Sequence, residues 1–281
     1  MEPKITTYSQ GEPSIFSNAY LIETSEGIVA IDATLTVSGG KALNKMVKNT
    51  GKKLLAVLLT HGHPDHYNGV TELIEGKDVP IIATAAVDTV IREYDGAKEK
   101  QWKPVFGDEW PSRRTFPSKI FKDGESVVFG GVTFTVHDMG PGESHADSYW
   151  VMEYNGVMHA FIGDIVLGGV HAYLADGHSS AWLETISSLK SLSGKFAKMY
   201  PGHGEPGNEE ILDRQKAYIE RYRQNVKILS EGRGVLSEEA KGRLVQEMKK
   251  FLPGGRLEFL IGLSADAVAA EMVKEPQASR R

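Results

Sequence analysis

Six apolar residues, Leu54-Leu55-Ala56-Val57-Leu58-Leu59, run directly into Thr60-His61-Gly62-His63-Pro64-Asp65-His66-Tyr67-Asn68-Gly69. An apolar run of this length, bounded by a glycine and a polar turn, reads as a buried strand. Downstream, Val70, Leu73 and Ile74 have helical i, i+3, i+4 spacing. A helix is therefore expected from Pro64 or Asp65, where the missing proline N–H costs nothing. The histidines then lie on a strand-to-helix turn at the C-terminal edge of a sheet, where open α/β folds bind ligands. His61 and His63, two apart on extended backbone, point the same way. Asp65 and His66, adjacent on a turn, cannot share that direction and point to a second centre. Imidazole and carboxylate together suit zinc and similar divalent ions. Any one of these residues alone would read as a solvated loop histidine or a helix N-cap. Together, directly after a buried strand, they read as the start of two metal sites.

Composition narrows the function classes. The net charge of −5 argues against a nucleic-acid substrate, because phosphate backbones require basic grooves. The absence of cysteine removes disulfides, thiolate ligands and a cysteine nucleophile. The first eight residues lack the basic and apolar regions of a signal peptide. No apolar stretch approaches the ~20 residues that span a bilayer. A cytoplasmic protein without membrane attachment is expected, acting on a small-molecule substrate, with a homodimer left open.

Along the chain, residues 18–23 and 27–32 read as a strand hairpin ending in Asp32, a turn residue or a supporting group near the metals. A helix over 37–49, a strand over 79–84 and a helix over 86–94 continue an α/β alternation. Residues 95–122 mix charges with Trp102, Phe106, Trp110, Phe116 and Phe121 without clear periodicity. That stretch reads as an ordered loop overhanging the active site and supplying apolar walls. The second half offers strands at 126–129, 132–137, 148–154 and 157–162, the last two joined by Asn155-Gly156, a strong hairpin signal. An amphipathic helix over 180–192 follows. Helices are expected over 209–229, 237–251 and 264–274. The boundary drawn is a sheet-rich domain over 1–208 and a helical C-terminal extension over 209–281.

His61-x-His63-x-Asp65-His66 resembles the signature of the metallo-β-lactamase-fold hydrolase superfamily. Three further turns match its later ligands in order: His145 within Gly140-Pro141-Gly142-Glu143-Ser144-His145-Ala146-Asp147-Ser148, Asp164 after Ala160-Phe161-Ile162-Gly163, and His203 within Tyr200-Pro201-Gly202-His203-Gly204. The resemblance covers roughly residues 10–208 and implies an αββα sandwich, where pattern alone gives only mixed α/β. It further implies that His61, His63 and His145 hold one ion, that Asp65, His66 and His203 hold a second, and that Asp164 bridges them. Zinc is the expected metal, with iron and manganese as alternatives. The third-ligand turn departs from the plain Gly-His-Thr common in the family.

The implied chemistry is hydrolysis by a hydroxide held between two metals, with Asp65 central and no serine or cysteine nucleophile. A lactone, thioester or β-lactam is the leading substrate class. A phosphodiesterase or nuclease on the same metals, or iron-dependent redox chemistry, is the alternative. Tyr67, His171 and Tyr173 are candidates to touch substrate; His137, His159 and His178 lack partners in motif context and read as structural or solvated.

Overall fold

The computed structural model describes residues 2–275. The first half builds a six-stranded sheet from β1 (Lys4–Ser9), β2 (Asn18–Glu23), β3 (Ile28–Ile31), β4 (Leu54–Leu58), β5 (Ile81–Thr84) and β6 (Lys119–Phe121), paired in that order. Helices α1 (Val37–Asn49), α2 (Pro64–Tyr67), α3 (Val70–Ile74) and α4 (Ala85–Phe106) connect them. The second half gives β7 (Ser126–Phe129), β8 (Val132–Gly140), β9 (Asp147–Tyr154), β10 (Val157–Leu167), α5 (Ser179–Leu192) and β11 (Lys198–His203). Its strands pair in the order β11-β10-β9-β8-β7, with only β10 and β11 parallel. Three helices complete the chain: α6 (Glu210–Ser230), α7 (Glu238–Phe251) and α8 (Phe259–Lys274).

Strand alternation sorts the apolar residues into layers. On β2, Tyr20 and Ile22 face the second sheet and meet Phe134, Trp150 and Phe161. Ala19 and Leu21, on its other face, lie beneath α1 and α4 with Leu43, Val87 and Ile91. The outer face of the second sheet packs Ala160 and Ile162 against Trp182 of α5 and Leu212, Tyr222 and Val268 of the C-terminal helices. The architecture is the expected αββα sandwich with a helical C-terminal region. The helices after residue 209 share one continuous core with the second sheet. No helix among the described residues is long and apolar enough to cross a membrane.

Two expectations are corrected. Residues 95–122 are not an irregular loop: α4 continues to Phe106, and Lys119–Phe121 form the edge strand β6. The buried positions of α4 run Val87, Ile91, Asp95 and Lys98, so the inner face keeps helical spacing while turning from apolar to charged. Arg114 pairs with Asp95 at 2.7 Å, and Lys98 lies 3.5 Å from Asp176. A hydrophobic period fades where ion pairs replace aliphatic contacts. The last helix starts at Phe259 rather than at 264, because Leu260 and Ile261 are also buried in its packing face.

Candidate metal centre

The donors converge at one edge of the sandwich. His61 and His63 follow β4, and Asp65 and His66 lie in α2, whose first helical position is Pro64. The two sheets are tied here: the Trp150 indole N–H donates to the Leu59 carbonyl at 2.9 Å, and Ser148 donates to Thr60 O from its backbone N–H at 2.9 Å and its hydroxyl at 2.7 Å. Asp164 sits in β10 where the β10–β11 register breaks, just after Gly163 at φ +49°. A Cβ at Gly163 would stand 2.7 Å from Thr60 Oγ1. His203 ends β11 after Gly202, where a Cβ would fall 1.8 Å from Asp164 Oδ1. Glycine at both positions is a condition for bringing these strands together.

Two groups of buried donors result. Asp65, His66, Asp164 and His203 form one; His61, His63 and Glu143 form the other. In the first, His66 Nε2 lies 3.3 Å from both Asp65 Oδ2 and Asp164 Oδ1, and His203 Nε2 lies 3.2 Å from Asp65 Oδ2. In the second, His63 Nδ1 and His61 Nε2 lie 2.8 and 3.6 Å from Glu143 Oε2. His61 Nε2 is 3.9 Å from Asp164 Oδ2, which links the groups.

The remaining ring nitrogens are held from behind. Asp32 Oδ2 accepts from His66 Nδ1 and from the Thr60 hydroxyl, each at 2.8 Å. That leaves the Thr60 oxygen to accept from His61 Nδ1 at 3.0 Å. Asp176 Oδ2 accepts from His63 Nε2 at 3.1 Å. Each support fixes a tautomer whose other nitrogen turns a lone pair into the cluster. Asp32, at φ +57°, adopts left-handed backbone to do this, a strain that the surrounding bonds hold in place.

The electrostatics agree with sites built for cations. Burial opposes charge on His66, yet Asp164, Asp65 and Asp32 outweigh it and raise its pKa well above the ordinary value. Burial opposes the Asp65 and Asp164 carboxylates as well, and His66 and His203 overcome it, holding both well below the carboxylate range. His61 Nε2, His66 Nε2, Glu143 Oε2 and Asp164 Oδ1 are buried without a hydrogen-bond partner. Buried polar atoms are costly to leave unpaired. Orphans that face one another, drawn from imidazole and carboxylate, fit divalent ions.

Of the seven expected ligands, the structure brings together His61, His63, Asp65, His66, Asp164 and His203. It does not bring in His145. Within the turn before β9, the Ser144 backbone N–H and hydroxyl both bond the Asp147 carboxylate, at 3.1 and 2.9 Å. This closes the turn with Glu143 inward, its side chain 1% exposed, and His145 outward at 27%. The His145 ring stacks on Tyr94 with centroids 4.5 Å apart, and its Nδ1 lies 2.7 Å from His178 Nε2. Sequence reasoning passed over Glu143 in its own motif because it sought an imidazole there. Asp176 and Lys98 sit in no motif, so nothing in the sequence marks them.

The substrate candidates separate. Tyr67 is buried away from the clusters and donates to Asp95 Oδ1 at 3.0 Å. Tyr173 sets its ring edge-on to His63 with centroids 5.3 Å apart, and receives a hydrogen bond from Lys98 Nζ at 3.2 Å. His171 is held through Nδ1 by the Tyr218 hydroxyl at 3.0 Å, while its buried Nε2 has no partner. Tyr173 and His171 both line the cavity that opens onto the clusters. His137 stacks on Tyr149 and His159 meets Tyr200 edge-on, both away from the clusters.

The family model of the metallo-beta-lactamase superfamily matches residues 14–203. Among curated proteins, a metallo-beta-lactamase type 2 of Bacillus cereus is 25% identical over 213 residues, covering 73% of each chain. An atrochrysone carboxyl ACP thioesterase of Aspergillus novofumigatus is 27% identical over 248 residues, covering 86% of this chain and 67% of the relative. A hydroxyacylglutathione hydrolase of Bdellovibrio bacteriovorus is 30% identical over 140 residues, 50% of this chain and 45% of its own. The crystal structure of a beta-lactamase domain protein from Burkholderia ambifaria superposes with a TM-score of 0.67 at 18% identity, covering 94% of this chain and 85% of that one. With the matched segment running from before β2 to the last donor histidine, the chain belongs to the metallo-beta-lactamase superfamily.

Proposed function

We propose that the protein is a two-metal hydrolase of an acyl bond, a lactone, thioester or β-lactam, with His61, His63 and Glu143 holding one ion. Asp65, His66 and His203 hold the second, and Asp164 stands between. The observation that carries this reading is the set of buried, unpartnered donor atoms facing each other across the two groups. Divalent ions bound there, zinc first among them, would polarise the carbonyl and make water nucleophilic near neutral pH. Hydrolysis joins a water oxygen to the acyl carbon, breaks its bond to the leaving oxygen, sulfur or nitrogen, and passes a water proton to the leaving group.

The chain's own residues set the rest. Asp32, Thr60 and Asp176 hold the ligand rings in orientation, and the buried floor excludes bulk water. Tyr173 and His171 border the path by which substrate reaches the donors. Relatives named as a β-lactamase, a thioesterase and a hydroxyacylglutathione hydrolase support acyl chemistry. Lys98, the cation among the described residues of the cavity lining, is engaged with Asp176, which disfavours a phosphodiester backbone.

The test is elemental analysis of protein purified without chelator, followed by a panel of lactones, thioesters, β-lactams and phosphodiesters. Two ions per chain and chelator-sensitive turnover of an acyl substrate are expected. Asp65→Ala should remain folded and lose turnover; an active variant stripped of metal would overturn the reading.

A further inference from the structure

We propose that the cavity beside the donors is an acyl-binding pocket, and that the preferred substrate is an ester or thioester whose acyl group is apolar. The proposal rests on the hydrolase reading and adds the substrate's shape and polarity to it.

The cavity has a volume of about 260 Å³, and its most polar stretch is the donor end. That end is the floor of His63, Asp65, Glu143, Asp164 and His203. Elsewhere the wall is mainly aliphatic and aromatic, with Glu12, Lys98, His171 and Tyr173 as its further polar members. Leu167 and Val170, just past Asp164, form its base. One side is the last turns of α4, through Trp102, Val105 and Phe106, and the other is the approach to α8 and its start, through Leu257, Phe259 and Leu260. Trp102 and Phe259 meet edge to face with centroids 6.3 Å apart, so the two helices touch across the mouth.

Val105 is 68% exposed and Phe259 54% exposed at this rim. Apolar side chains gathered at a cavity mouth, rather than scattered singly, mark a ligand-binding surface. The charged inner face of α4 explains the division of labour. Asp95 and Lys98 are spent on ion pairs that seat the helix, and the following turns carry only apolar residues into the cavity. A carbonyl carbon at the donor end would therefore direct its acyl tail between α4 and α8. A charged or heavily hydroxylated tail would lose its hydration against the Trp102, Val105, Phe106 and Phe259 wall, which offers it no partners.

The experiment uses p-nitrophenyl and N-acetylcysteamine esters of acetic, butyric, hexanoic and octanoic acid on the metal-loaded protein. Calorimetric titration with the corresponding free carboxylates runs alongside. Burial of each added methylene should raise kcat/KM about fourfold, the fold-change equivalent to about 0.8 kcal/mol, until the cavity is full. Val105→Lys, at a position 68% exposed, and Phe259→Lys, which also gives up the Trp102 ring contact, should each cut the hexanoyl-to-acetyl ratio by about tenfold without loss of bound metal. Turnover that is indifferent to chain length, or a chain-length dependence that survives both substitutions, would overturn the proposal. No turnover of any ester, with octanoate still binding more tightly than acetate, would instead overturn the ester and thioester chemistry and leave the pocket standing. Neither turnover nor graded binding would sink both.

Discussion

Asp32→Asn isolates the most specific claim about the centre, that a buried carboxylate sets the tautomer of a ligand. Asp32 Oδ1 accepts the Thr60 backbone N–H at 2.9 Å; Oδ2 accepts the Thr60 hydroxyl and His66 Nδ1–H. With asparagine, the carbonyl oxygen can keep the Thr60 N–H, which places the NH₂ against two groups that are themselves donors. The Thr60 hydroxyl can rotate and accept. His66 can accept only by moving its proton to Nε2, the atom that faces Asp65 and Asp164. A protonated nitrogen cannot ligate. The backbone does not confound the change, because asparagine tolerates the left-handed conformation at this position, whereas alanine would add about 1 kcal/mol of strain. Loss of a ligand-orienting partner costs about 10- to 100-fold in metal affinity, or roughly 1.4–2.7 kcal/mol. The loss should fall on the Asp65–His66–Asp164–His203 group. His61 keeps its Thr60 acceptor, so the other group should hold its ion. Cobalt titrations followed by visible absorption, with chelator competition, resolve the two affinities. Two wild-type affinities in a folded Asp32→Asn protein would refute the tautomer argument.

Other outcomes follow from the same geometry. Glu143→Ala should bind one ion fewer than the two expected of the wild type, while His145→Ala should match the wild type; elemental analysis after dialysis distinguishes them, and the reverse pattern would restore His145 as the ligand. Gly202→Ala would drive a Cβ to 1.8 Å from Asp164 Oδ1 and 2.9 Å from His66 Cε1, so it should lose the second ion and about 1–3 kcal/mol of stability in urea titration. Burial raises the Glu143 pKa to about 8 despite the neighbouring His63. Burial opposes charge on His63 as well, yet Glu143 and Asp176 raise its pKa to about 10. Protons then compete with metal at both side chains, and affinity at the His61–His63–Glu143 group should rise by at least about tenfold per pH unit through pH 8 and keep rising towards pH 10. Affinity that is flat or falls over that range, measured by competition with a pH-characterised chelator, would contradict this sign.

Much of this protein is legible residue by residue. The apolar run 54–59 declares a buried strand, Pro64 declares the helix after it, and the close-set histidines declare a metal centre, because each follows from local period and side-chain chemistry. The alternation on the strands separates the inter-sheet core from the outer faces before any coordinates are known. Tertiary structure decided what depends on approach between distant segments. Glu143 rather than His145 faces the donors because Asp147 closes its turn around Ser144, an orientation that spacing does not encode. Helix α4 extends to Phe106 because its buried face is satisfied by Arg114 and Asp176, partners remote in sequence. The cavity exists only where α4 and α8, more than a hundred and fifty residues apart, come to face each other over the same floor. Local periodicity records what each segment can bury; which partner buries it is a property of the assembled layers.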